Sequence, residues 1–276
     1  DILPEHNQGM EVIPQILTSD PEDFLDTAVK LKEYGYTEVN LNLGCPSGTV
    51  AAKGKGAGFL KDTEKLARFL GEVSEGMERE NLHFSIKTRV GVESEEEFQT
   101  LLGLYNQCPL TELIIHPRVL KDFYKYNVRM NAFKEGFEKS RHSVCYNGDI
   151  FRRKDYDRLV KEYPDLDKIM MGRGIMMNPF LMEEIADGTS QKVSGKMSAA
   201  RKADRLEKFH RLLCDGYTHV MSGDRPVLFK MKELWGFLIH SCPEEEKLMK
   251  KIRKAQHLAE YEGVVSELFC RMREHE

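Results

Sequence analysis

Cysteine is scarce and scattered. The six residues at positions 45, 108, 145, 214, 242 and 270 include no Cys-x-x-Cys pair. That excludes a common zinc pattern and offers no disulfide framework, so a reduced cytoplasmic protein without a bound metal is expected. Long hydrophobic runs are missing as well. No stretch approaches the roughly 20 apolar residues of a membrane helix, and none reads as a secretory signal, so no membrane partner is expected. Positive charge is not in surplus: 41 Lys and Arg face 45 Asp and Glu, a net charge of −4 that gives no general affinity for nucleic acid. Phosphate loops are absent too, since the glycines at 54, 56 and 58 fit neither G-x-G-x-x-G nor G-x-x-x-x-G-K-[ST].

What is present is a repeat of strand, turn and amphipathic helix between residues 10 and 185. The strands read VIPQIL (12–17), EVNLNLG (38–44), FSIKTRV (84–90), ELIIHPRV (112–119), SVCYNG (143–148) and KIMMGRG (168–174). PEDFLDTAVKLKEYG, TEKLARFLGEVSEGM, SEEEFQTLLGLYNQ and RRKDYDRLVKEYP read as helices between them. Pro21 suits a first helical turn and Gly35 a helix end, while Ser94 with Glu97 forms a capping box. Such alternation specifies a parallel sheet covered by helices.

Every strand also finishes on a polar or special residue: Gln15, Asn42 with Cys45, Lys87 with Arg89, His116 with Arg118, Asn147 with Asp149, and Gly172 with Arg173. In a (β/α)8 barrel all strand C-termini share one face and the chemistry gathers there. In a doubly wound sheet it would gather at the strand-order switch. The expectation is therefore an α/β (β/α)8 TIM barrel. Six strands are visible where eight are needed, so two strand–helix units are expected upstream of Asp1.

From about residue 189 the pattern changes. TSQKVSGKMS reads as a polar linker, followed by helix-forming segments only: AARKADRLEKFHRLLCDGYTHV, PVLFKMKELWGFLIH and EEEKLMKKIRKAQHLAEYEGVVSELFCRM. A barrel over 1–188 and a small all-α bundle over 189–276 are expected, in a monomeric protein. Residues 196–254 hold 14 Lys or Arg against 8 Asp or Glu. Arg201, Arg205 and Lys208 share one helix face, which is either an ordinary solvated surface or a grip on a polyanion.

The stretch NLNLGCPSGTVAAKGKGAGFL, residues 40–60, ends a strand on one cysteine and continues into a glycine-rich loop. Cys45 is either a small buried hydrophobe or a reactive thiol on a flexible lid. NLNLGCP with that loop, then IKTRVG, IIHPRV, YNGD and MMGRG, in this order and spacing, resembles the tRNA-dihydrouridine synthases. FKMKELWGFL at 229–238 resembles their helical domain.

The resemblance implies a flavin-dependent barrel with a C-terminal helical tRNA-binding domain. Its activity would be reduction of uridine in tRNA to 5,6-dihydrouridine, with FMN as cofactor and NADPH as reductant. Cys45 would be the general acid, giving a proton to C5 of uracil while hydride reaches C6. A thiol stays mostly protonated at neutral pH and can donate. Gln15, Lys87, His116, Asn147, Gly148, Asp149, Gly172 and Arg173 would bind the flavin, with Lys87 beside the ring and the last two loops at the phosphate. A Lys within an apolar strand could also snorkel. Asn42 and Arg118 would hold the uracil. Asn can donate and accept at once, and Arg can bond a carbonyl oxygen. Arg201, Arg205 and Lys208, with Lys250, Lys251, Arg253 and Lys254, would grip the RNA backbone while the base is swung out of its stack.

Two positions depart from the family pattern, Asn40 in place of Asp and Pro117 in place of Gly. Two rivals stand beside this reading. One is a flavin barrel reducing a free pyrimidine or another small unsaturated ring. The other is an RNA-binding protein that keeps the fold without activity.

Overall fold

Alternation within the strands creates a sheet with two different faces. The structure, a computed structural model, describes residues 2–189, 197–241 and 245–274. Its elements run β1 (Gln15–Ile16), α1 (Pro21–Glu33), β2 (Glu38–Leu43), α2 (Gly48–Ala51), α3 (Thr63–Arg79), β3 (His83–Gly91), α4 (Glu97–Tyr105), β4 (Glu112–Val119), α5 (Met130–Lys139), β5 (Ser143–Asn147), α6 (Arg153–Glu162) and β6 (Lys168–Met170). Then come α7 (Arg173–Met177), α8 (Leu181–Thr189), α9 (Ala199–Val220), α10 (Asp224–Leu238), α11 (Glu246–Lys254) and α12 (Leu258–Glu274). By packing, the chain divides into two compact units, Asp1–Gly148 with Tyr163–Met170, and Asp149–Glu162 with Met171–Glu276.

In the first unit the six strands are all parallel and pair in chain order, β1-β2-β3-β4-β5-β6. Helices α1, α3, α4 and α5 pack each against the next, which puts them on a single side of the sheet. Sequential strand order with helices on one side is the arrangement of a (β/α) barrel, because a doubly wound sheet reverses order and covers both sides.

The side toward the helices carries Val39, Leu41, Leu43, Phe84, Ile86, Leu113 and Ile115, all buried. Phe24, Phe69 and Phe84 meet there edge to face, with ring centres 6.0–6.3 Å apart. Side-by-side residues of parallel strands point the same way, so the register places Gln15, Asn40, Asn42, Ser85, Lys87, Arg89, Ile114, His116, Cys145 and Asn147 together on the opposite side. One sheet face is therefore apolar, and the other is polar.

Local signals act as expected at several ends. Asp20 caps α1, accepting from Glu22 N and Asp23 N at 2.9 and 3.0 Å, with Pro21 in the first turn. Gly35 ends it at φ +90°. Before α4 half of the expected capping box forms: the Glu97 carboxylate accepts from the N–H groups of Val92, Glu93 and Ser94, each at 2.9 Å, but the Ser94 hydroxyl accepts from Glu96 N at 3.3 Å and the helix starts at Glu97.

Other expectations are corrected. The first strand is two residues long, because Pro14 has no N–H to give the ladder and only its carbonyl bonds, to Asn40 N at 2.8 Å. The last helical segment is two helices, broken at residues 255–257. There Asp224 Oδ2 accepts from Leu258 N at 2.9 Å and Glu260 accepts from Gln256 N at 2.9 Å, which caps the new helix. The linker expected at 189–198 lies largely outside the described residues.

In the second unit, α9 to α12 enclose a core of Leu206, Val227, Met231, Trp235, Leu238, Ile252, Val265 and Phe269. Within it Tyr261 Oη meets His210 Nε2 at 2.5 Å and accepts from Trp235 Nε1 at 2.8 Å. Among the described residues no helix is long and apolar enough to cross a membrane.

Candidate active site

The polar face begins with a turn. After β2 the Asn42 side chain folds back, its Oδ1 accepting from Gly44 N at 3.0 Å and Cys45 N at 2.9 Å. This sets the Cys45 thiol, half-buried, at the C-terminal end of the strand. Asn42 Nδ2 donates to Gln15 Oε1 at 2.6 Å, which joins β1 to β2. Lys87 lies beside Asn42 in the register. Its ammonium has no carboxylate partner among the described residues. Burial, helped by the Arg89 charge, lowers its pKa to about 8.

The loop after Cys45, expected as a flexible lid, is folded in this structure. It forms α2 and a 3-10 turn over Gly56–Lys61, with Gly56 through Leu60 buried. Ala57 N donates to Cys45 O at 3.0 Å. A Cβ on Gly58 would stand 2.3 Å from the Ala51 carbonyl oxygen, and one on Gly56 would stand 2.9 Å from Cys45 Cβ. These two glycines serve close packing around the cysteine.

Arg89 is fully buried and holds three carbonyls: Gly44 O at 2.9 Å, Val119 O at 2.8 Å and Phe123 O at 2.8 Å. Burial is the main influence lowering its pKa. It thus ties the cysteine turn to the loop after β4. Arg118 is 1% exposed, donates twice to Tyr126 O at 2.9 and 2.6 Å, and faces His116 Nε2 at 2.9 Å. A guanidinium can only donate, so that imidazole nitrogen accepts. In this arrangement Arg118 braces the loop. Asp122 completes the brace through Arg129, at 2.9 and 3.0 Å, and hydrogen bonds from Arg129 are the first cause lowering the Asp122 pKa. Phe123, Tyr124 and Tyr126 stand exposed above, with Phe123 at φ +49°. At the end of β5, Asn147 Nδ2 donates to Met170 O at 2.9 Å and Gly148 passes over the Tyr146 ring.

The remaining expected residues belong to the second unit. Arg173 binds Asp149 Oδ1 at 2.7 Å and lies 5.4 Å from the centre of the Phe151 ring. Gly172 precedes α7, and a Cβ on Gly174 would come 1.9 Å from Ile150 O. On α9, Arg201, Arg205 and Lys208 are exposed along one face as expected. Arg205, however, is paired with Glu183 at 2.6 Å and covers Phe180. Lys250 and Lys251 pair with Glu246 and Glu267 at 3.1 and 3.6 Å. Arg201, Lys208, Arg253 and Lys254 carry no salt bridge among the described residues.

A family profile described as dihydrouridine synthase (Dus) matches residues 1–270. The chain belongs to this family. Among curated relatives, a "Probable tRNA-dihydrouridine synthase" of Staphylococcus aureus (strain Mu50) is 31% identical over 179 residues, covering 63% of this chain and 53% of the relative. One of the same name from Staphylococcus epidermidis is 30% identical over 210 residues, covering 72% and 63%. The chain spans about half the length of the first of these relatives. A solved structure of morphinone reductase is similar at TM-score 0.43 and 16% identity, over 64% of this chain and 50% of that one.

Three residues of the polar face, Arg89, Ser85 and Asn40, have no role among those the family resemblance implies. Arg89 was visible in IKTRVG as a charge within an apolar strand. Ser85 gave no signal, because its partner is set by register alone. Asn40 stood out as a departure from the family pattern, but not as a hydrogen-bonding partner of Gln15.

Proposed function

We propose that the protein reduces uridine in tRNA to 5,6-dihydrouridine, with FMN as resident cofactor, NADPH as reductant and Cys45 as proton donor. The observation that carries this reading is the polar face of a dihydrouridine synthase sheet. There a half-buried Lys87, without a carboxylate partner among the described residues, lies beside Asn42, Gln15 and the Cys45 turn. Those residues fit a flavin: a cation seeks the anionic pyrimidine edge of a reduced ring, and the Gln15 amide keeps one N–H and one lone pair for it. Reduced FMN, when bound, would supply hydride to C6 of the uracil.

The chain's own residues do the rest. Cys45 holds the proton for C5 at its Sγ, on a turn fixed by Asn42 and Arg89. Lys87 balances negative charge. His116, Asn147, Gly148, Asp149, Gly172 and Arg173 bind the remainder of the cofactor, with the Arg173 guanidinium as the phosphate partner. Arg118 keeps the loop after β4 in shape around the uracil. Arg201, Lys208, Arg253 and Lys254, which carry no salt bridge among the described residues, contribute most to the grip on RNA, and Arg205 less, because Glu183 neutralises it. The functional division follows the residues, with flavin bound by 1–188 and tRNA held by 189–276.

Cys45→Ala tests the reading. Flavin reduction by NADPH should proceed at the parental rate while dihydrouridine in tRNA, read by mass spectrometry, disappears. Equal loss of both would remove the proton-donor role. A protein that binds no flavin would remove the reaction itself, and turnover of free uracil without RNA would replace tRNA as the substrate.

A further inference from the structure

Three side-chain amides on the polar face run head to tail, and their order starts from the main chain. The N–H groups of Gly44 and Cys45 both point at residue 42, so Asn42 must present its oxygen to them. Its Nδ2 then faces Gln15 Oε1 at 2.6 Å. Gln15 Nε2 in turn donates to Asn40 Oδ1 at 2.7 Å, and Asn40 Nδ2 donates to Ser85 Oγ at 2.9 Å. Turning any one amide over would set donor against donor or oxygen against oxygen. The far end is anchored, since Asn40 and Ser85 are 4% and 1% exposed and a buried polar group must find its partner. Gln15 lies toward solvent, where alone it would be free to turn.

We propose that Asn40 is a positioning residue of this site: by accepting from Gln15 it holds the Gln15 amide with its oxygen toward Asn42 Nδ2, so that Asn42, its own oxygen held by the cysteine turn, meets its ligand as a donor only. Both acceptor positions of Asn42 Oδ1 are taken by the cysteine turn, and a single Nδ2–H remains. That N–H can bond a ring carbonyl but not an imide N–H, which narrows the dual role expected from an Asn. It also opposes an amino group at the same place. With uridine as substrate, on the reading above, this favours a uracil carbonyl over the exocyclic amine of cytosine. Ser85 is the second half of the device. Its hydroxyl accepts from Asn40 here and can turn to donate where residue 40 is a carboxylate.

The test uses the full protein. Asn40→Asp still accepts from Gln15, and Ser85 turns to donate to it, so dihydrouridine formation at saturating tRNA should stay within about twofold of the parent. Asn40→Leu removes the acceptor, and the rate should fall about tenfold or more, the scale of one directed hydrogen bond, while FMN still binds. A parental rate in Asn40→Leu, or equal impairment of both variants, overturns the proposal.

A second measurement is independent of catalysis and of the stability of Asn40→Leu. Gln15→Glu alone is accommodated when Asn40 turns over, and Asn40→Asp alone is accommodated by Ser85. Together they set two carboxylates in contact, one of which must hold a proton. The double variant should unfold at a lower temperature than the two single effects sum to, and the deficit should grow from pH 5 to pH 8. Additive behaviour at every pH overturns the relay. If the parent forms no dihydrouridine, the uridine reading falls and this cycle still decides the relay.

Discussion

Lys87 shows how a single residue links stability to the site. Its folded pKa of about 8 lies below the ordinary 10.5, with burial as the main cause. The unfolded chain therefore binds more protons between those two values, and stability contributed here is present above about pH 10.5 and lost as pH falls through 8. At pH 7 the buried charge costs on the order of 3 kcal/mol. Lys87→Met should raise the thermal midpoint at pH 7, with the gain fading toward pH 10.5, and should weaken FMN binding measured by fluorescence titration. An equal gain at both pH values would show that packing, rather than charge, is responsible. Gln15, Asn42, Lys87 and Cys45 were legible in the sequence because polar residues at strand ends stand out against apolar neighbours. The Asn40–Ser85 contact was not, because it depends on which residue of β3 lies beside which residue of β2.

Among the elements, the folded loop after Cys45 carries the sharpest expectation. Gly58→Ala pushes a methyl against a carbonyl that cannot move aside, and should destabilise by roughly 2–3 kcal/mol. Gly54 has φ +63° with open space around it, so Gly54→Ala should cost only about 1 kcal/mol. Thermal unfolding of the two variants checks the order, and a reversed order would mean that the segment is loose rather than packed. β4 matches its predicted span, and β2, β3 and β5 differ from theirs by at most one residue at either end, because their alternation is long. Helix α5 has a weak signal in the sequence. Its segment MNAFKEGFEK has a glycine in the middle, which lowers helix propensity. A Cβ on that Gly136 would lie 2.5 Å from Ile115 Cδ1, so the residue is there for close seating on β4. Tertiary packing overrode the local signal.

Over the whole molecule, two bases whose pKa values burial lowers divide the pH range. His210, in the core of the second unit, is lowered by burial from 6.5 to about 4. Its stability contribution is present above pH 6.5 and lost as pH falls through 4. The parent's stability should therefore rise from pH 4 to 6.5 and again from 8 to 10.5. Trp235, the single tryptophan of the sequence, adjoins His210 and reports the acid limb by its fluorescence. A flat acid limb would place the histidine in water. Tyr261→Phe strands the Trp235 and His210 nitrogens and should cost roughly 2 kcal/mol or more at pH 7. The sequence revealed a helical tail but not this network, whose members lie 26 and 51 residues apart.

The packing of Gly56 and Gly58 against Cys45 and Ala51 also bears on how the sulfur could travel. A hinge at residue 45 would need slack beside it, and there the Ala57 N–H is bonded to the Cys45 carbonyl while Gly56 packs close to Cys45 Cβ. An approach of the thiol to a base would therefore draw residues 56 to 58 along with residue 45, and a cross-link that pins residue 57 should restrain the sulfur as well.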